Sequence, residues 1–347
     1  MRSSWLKSSW ACLSGALALG LVAMPPAHAQ DKPVEMRFSH WVPPQHPMHA
    51  AAVSWAESIN KASNGTIKIT IFPSQQLGRA FDHYNMARDG IADISHINPG
   101  YEPGRFPIVA AVELPFIFNN SKQGSAAMDE WYRKHAVQEM KDVRFCLMFA
   151  HDPGTFHFTK KKIVSPSEMS GMKFRPPNAV IGNWMTTLGA TNVQASAPEI
   201  RDVLSKGVAD GAGAPWGSMG LFGIDKVTQF HIDAPIYVSE QVWVLNKAKY
   251  DALSPAQKKV MDDHCSSEWS LKIATPWADF ESGGKEKVKA TGNREIYQLT
   301  PEQLAAWRKS SEAVVANWEA DVRKAGGDPK AILDDLKKTV AKHNSSF

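Results

Sequence analysis

"TIKITIFPSQQLGRAFDHYNMARDGIADI", residues 66–94, reads as strand, helix, glycine and strand. Ile67, Ile69 and Ile71 alternate with polar partners, which is the period of a β-strand, and Pro73 ends the run. A helical stretch follows through Tyr84 and Ala87. Gly90 then stands where a helix C-terminus favours the left-handed conformation, and Ile91-Ala92-Asp93 leads into a short buried strand. More than a hundred residues later the same order returns as "TNVQA", a helix, and Gly207-Val208-Ala209-Asp210. One unit used twice implies an α/β fold of two lobes, and 347 residues fit that count at roughly 100 to 200 residues per domain.

Around this repeat the helix starts are legible. Ser165-Pro166-Ser167-Glu168, Ser254-Pro255-Ala256-Gln257 and Thr300-Pro301-Glu302-Gln303 each join a hydroxyl N-cap, a proline and an acid or amide at the third position. After a first strand at residues 36–39, residues 48–61 place Ala52, Trp55, Ala56 and Ile59 on one helical face. Ile181, Trp184, Met185 and Leu188 form another such stripe. From Ser254 onward the pattern is almost wholly helical, with Trp269, Ile273, Trp277 and Phe280 as an apolar seam. We therefore expect lobe I at residues 30–153 with a return segment at about 245–285, lobe II at 154–244, and helices at 286–347 that brace the lobes.

Residues 1–29 read as a signal peptide: Arg2 and Lys7, an apolar run at 11–24, and Ala27-His28-Ala29 for cleavage. That places the mature chain in the periplasm. Loss of the two leader cations lowers the formal charge from +4 to +2, so nucleic acid and anionic membrane surfaces are not expected partners. Cys146, inside "VRFCLMF", and Cys265, on a helix, read as two buried free thiols rather than a disulfide.

The common marks of catalysis are missing. "GSMG" at residues 217–220 lacks the spacing of a nucleophile elbow, and neither a P-loop nor a dinucleotide fingerprint occurs, so no catalytic residue and no cofactor is expected. His40, His46 and His49 are close in sequence, but no neighbouring carboxylate or cysteine completes a metal site, and we expect none. What does stand out is Arg175. It ends the strand "GMKFR", directly before Pro176 and Pro177, where an α/β lobe presents its strand ends to a cleft. Its partner is either an internal acid or a carboxylate that enters from outside.

At these residues the chain resembles the periplasmic solute-binding subunits of tripartite ATP-independent (TRAP) transporters, of the C4-dicarboxylate-binding type. The shared phrases run in order: "MRFSH", "FPSQQLG", "ARDGIADI", "ELPFIF", "MSGMKFRPP", "LGAT" and "GVADG". The resemblance implies a two-lobed periplasmic-binding-protein fold with an interlobe ligand cleft. It also implies a small organic acid as ligand, Arg175 as its carboxylate anchor, and TRAP membrane subunits as partners. Two departures narrow the ligand. Phe156 stands where many relatives carry a second arginine, and Ala214 stands where many carry an asparagine. Both changes favour a monocarboxylate with an apolar or aromatic body. Trp41 and Trp216 follow strands and suit an aromatic wall, while His40, Asn98, Tyr101 and His157 are further contact candidates near strand or loop ends. The rival functions are a periplasmic enzyme acting on a carboxylate and a ligand-sensing receptor module.

Overall fold

The computed structural model describes residues 31–347, so the expected signal peptide lies outside the described residues. In chain order the strands are β1 (Val34–Ser39), β2 (Ile67–Phe72), β3 (Ile94–Ile97), β4 (Val143–Ala150), β5 (Thr155–Phe158), β6 (Lys173–Arg175), β7 (Thr191–Asn192), β8 (Gly211–Ala214), β9 (Phe230–Ile232), β10 (Glu240–Asn246) and β11 (Glu295–Tyr297). They form two sheets, ordered β2-β1-β3-β10-β4 and β11-β9-β5-β8-β6-β7. The duplicated phrase occupies corresponding places in them, with Gly90 at φ +74° and Gly207 at φ +67°. Side chains with a Cβ resist that conformation, which is why both helices stop at glycine.

Strand direction decides what reaches the cleft. β1 runs parallel with β2 and β3, so the ends of β1 and β3 share one edge of the first sheet. β10 runs antiparallel to β3 and β4, so its beginning lies at that edge. In the second sheet β6 and β8 run in parallel and finish at Arg175 and Ala214, while β5 runs antiparallel and starts there, with Thr155 opposite Ala214. The two edges face each other.

Each sheet is covered by apolar helix faces at the predicted spacing. Met48, Ala52, Trp55, Ala56 and Ile59 of the helix Pro47–Ala62 are buried in the first lobe. Ile181, Trp184 and Met185 of the helix Ala179–Thr187 are buried in the second. Ser254 and Thr300 form the expected capping boxes. The C-terminal helices touch both lobes: Trp318, in the helix Glu312–Lys324, donates to the Pro107 carbonyl at 2.8 Å, and that helix also packs on Ala179–Thr187.

Two expectations need correction. Cys146 and Cys265 form a disulfide. The helix Pro255–His264 ends at Cys265, whose side chain turns toward β4, and the bond closes a separation of 119 residues. A loop of that length constrains the unfolded chain by about 4 to 5 kcal/mol. The chain also re-enters the first sheet at Glu240, earlier than residue 245, and Glu295–Tyr297 adds an edge strand to the second sheet within the segment expected to be helical.

Candidate ligand-binding site

Arg175 is 2% exposed. A guanidinium keeps its charge at any physiological pH, so its burial is costly unless it finds acceptors. It finds three, all neutral. Nε donates to the Ala195 carbonyl at 2.8 Å, Nη1 to the Gly213 carbonyl at 3.2 Å, and Nη2 to the Tyr101 hydroxyl at 3.3 Å. No carboxylate among the described residues forms an ion pair with it. Glu199, the acid that feels its charge, is engaged by the Ser196 backbone and hydroxyl and by Arg79. Of the five N–H bonds of a guanidinium, one on each terminal nitrogen is left over. That pair is the fork a carboxylate accepts.

Tyr101 comes from the first lobe, in the turn after β3. Its oxygen takes the Arg175 contact and the Ala197 N–H at 3.0 Å, which leaves its own proton to donate. Gly100 makes this approach possible, because a side chain there would collide with Glu113 and Asn178. The lobes thus meet around a cavity of about 440 Å³, part of it open to solvent. Trp41, Ile200, Phe222, Tyr237 and Trp277 supply apolar wall, and Asn98, Ser218, Ser239, Gln241, His46 and His151 supply polar groups.

Both cavity histidines are neutral. Burial pushes His46 down to about 3 and His151 down to about 4. Hydrogen bonds fix their tautomers. His46 Nδ1 accepts the Met48 N–H at 3.1 Å as a helix N-cap, so its proton sits on Nε2. His151 Nε2 accepts the Ser239 N–H at 3.0 Å and Nδ1 donates to the Asp152 carbonyl at 2.6 Å. Arg175 is therefore the one cation on this wall among the described residues.

Of the eight residues nominated from sequence, Arg175, Trp41, Asn98 and Tyr101 line the cavity, and His40, Phe156, His157 and Trp216 do not. Phe156 is fully buried among Phe174, Trp184 and Trp307, with the Tyr237 ring stacked between it and the cavity. His157 points to the other face of β5, bonding the Ala214 carbonyl at 3.0 Å and His231 at 2.9 Å, with Trp216 against its ring. His40 bonds His49 at 2.9 Å behind the wall. For Phe156 and His157 the reason is their place within β5: side chains in a strand face the layers above and below the sheet, and the cleft lies beyond the strand ends. Tyr237, Ser239 and Gln241 were missed because an antiparallel return strand brings its beginning to the cleft. His46 and His151 were missed because nothing local marks them.

The family model for bacterial extracellular solute-binding protein, family 7 (DctP), matches residues 38–321. The chain belongs to this family. Its fold is that of the TRAP solute-binding proteins. One from Rhodoferax ferrireducens, solved with copurified benzoate, superposes with a TM-score of 0.83 at 30% identity, covering 90% of this chain and 98% of that one. A marine-metagenome protein described as specific for aromatic acid ligands and solved with metahydroxyphenylacetate gives 0.83 at 32% identity, covering 90% and 99%. The C4-dicarboxylate-binding periplasmic protein of Rhodobacter capsulatus is 25% identical over 313 residues, 86% of this chain and 89% of its own length. Coverage of relatives varies, and a match to a Sinorhizobium fredii protein spans 43% of that protein. This solute-binding protein therefore has its family's two-lobed architecture over nearly all its described length.

Proposed function

We propose that this solute-binding protein captures an aromatic monocarboxylate outside the cytoplasm and delivers it to TRAP membrane subunits without transforming it. The carrying observation is Arg175, a buried cation with two spare donors and no internal acid, on a cavity wall that is otherwise neutral and carries the rings of Trp41, Tyr101, Phe222, Tyr237 and Trp277. One carboxylate satisfies one guanidinium. A second carboxylate would meet no cation, so dicarboxylates would lose more hydration than they regain. The benzoate and hydroxyphenylacetate bound by the two structural relatives support the same ligand class.

A thermal-shift series followed by calorimetry tests this. Benzoate-class acids should raise the unfolding temperature, with about 2.7 kcal/mol of stabilisation at a hundred times Kd, while succinate and glucuronate at equal concentration should not. The bound acid should be recovered unchanged. Stronger stabilisation by succinate or glucuronate would reject the aromatic reading.

A further inference from the structure

Resting on that reading, a second polar cluster in the same cavity extends it. Gln241 is 2% exposed beside the His96 ring, and Asn98, 5% exposed, has its Oδ1 buried without a hydrogen-bond partner among the described residues. Trp41 Nε1–H is equally alone. His46, fixed with its proton on Nε2 by the helix cap at Nδ1, lines the same cavity. All four residues line the cavity and belong to the first lobe, whereas Arg175 belongs to the second. A buried polar group left unpaired costs about 1 to 3 kcal/mol, so the Asn98 oxygen and the Trp41 N–H need an occupant.

The chemistry of that occupant is constrained. The indole and imidazole offer only protons, so an ammonium group is repelled there. The amide oxygens offer lone pairs, so a carboxylate, which only accepts, leaves them unmatched. An un-ionised hydroxyl donates one proton and accepts on its oxygen, so it can bond an amide oxygen and the indole N–H at once. We infer that Asn98 and Trp41, on a cavity wall shared with Gln241 and His46, form a subsite for a hydroxyl group of the bound acid, making hydroxylated aromatic acids the preferred ligands. Such a ligand spans the cleft, its carboxylate on the second lobe and its hydroxyl on the first.

Calorimetry with pairs that differ by hydroxyl against methyl, such as 3-hydroxybenzoate and 3-methylbenzoate and their 4-substituted counterparts, isolates the subsite. At one ring position the hydroxyl compound should bind at least ten-fold more tightly than its methyl analogue, because a site built to hydrogen-bond a hydroxyl discriminates strongly against its loss. In Asn98→Leu and Trp41→Phe that ratio should fall below three. A wild-type ratio near one at every position, with benzoates still binding, overturns the subsite and leaves the carboxylate anchor intact. A ratio unchanged in both variants overturns the residue assignment. Failure of any benzoate to bind strikes the underlying reading instead. If a variant does not fold, the wild-type ratios decide.

Discussion

Arg175 and the pair Glu113 and Glu240 sit near the same junction between the lobes, and both bury charge-bearing groups without an opposite partner. Glu113 lies against Asn178, three residues after Arg175, and lines with Glu240 a cavity whose wall includes Ala179 and Val180 of the second lobe. Both glutamates are buried, and both oxygens of Glu240 lack a partner among the described residues. The two sites resolve the problem in opposite ways. Burial, with the neighbouring Glu240 charge, lifts Glu113 well above the usual carboxyl range, and burial pushes Glu240 up to about 8. The acids therefore hold their protons and become neutral. A guanidinium has no such option, so Arg175 stays charged and that charge can be balanced only by an anion that arrives. Unpaired burial marks a binding function where the group cannot discharge itself, and a structural one where it can.

The sharpest way to break this contrast is to place an arginine where neither outcome is available. Phe156→Arg puts a guanidinium into the core of Phe174, Trp184 and Trp307, away from any cavity. We expect a loss of about 4 kcal/mol or more in urea unfolding. A stable variant that gained dicarboxylate binding would mean that this side chain reaches the cleft after all.

Arg175→Ala should do the reverse. Ligand affinity falls at least a hundred-fold, about 2.7 kcal/mol, while stability without ligand changes by less than about 1 kcal/mol, because a costly unpaired charge leaves together with its three hydrogen bonds. Calorimetry and urea melts on one preparation check both halves. Collapse of the fold would show that the charge is structural.

The smallest effect is a slope. A carboxyl whose folded value is raised contributes stability that is complete below its unfolded value, near 4.5, and is lost as the pH climbs through the folded value, about 8 for Glu240. Near pH 6.5 an unfolded histidine is half protonated, so the histidines lowered by burial, His40 and His46 at about 3 among them, add a rising slope that fades above about pH 7.5, where they are neutral in both states. Wild-type stability should decline from about pH 7.5 to about 8.5. Glu240→Gln should reduce the decline by up to about 1.4 kcal/mol per pH unit, while Glu113, which burial also holds protonated, keeps a residual slope. Equal slopes in the two proteins would mean that Glu240 is already ionised in the fold.

How far the sequence foretold this arrangement follows from the range of each signal. The repeated glycine phrases, the proline-led caps and Arg175 before two prolines are local, and each appears where its neighbours imply. Trp41, Asn98 and Tyr101 follow parallel strands, whose ends face the cleft by rule. Phe156 and His157 begin a strand whose faces are both covered, so an aromatic near a strand end was no guide there. Gln241 and Ser239 depend on the direction of β10, and the Cys146–Cys265 bond depends on two elements 119 residues apart. Such facts belong to the folded pairing of distant segments, and no short window of residues contains them.

The helix Glu312–Lys324 fastens to the first lobe through Trp318 and to the second along Ala179–Thr187. A rod anchored on two plates cannot keep both seams in register when the plates swing apart; it must bend, or one seam must slip. The resting gape of the clamp is therefore set partly by elastic restraint outside the pocket, and a guest's grip adds to that tension instead of acting on a free joint.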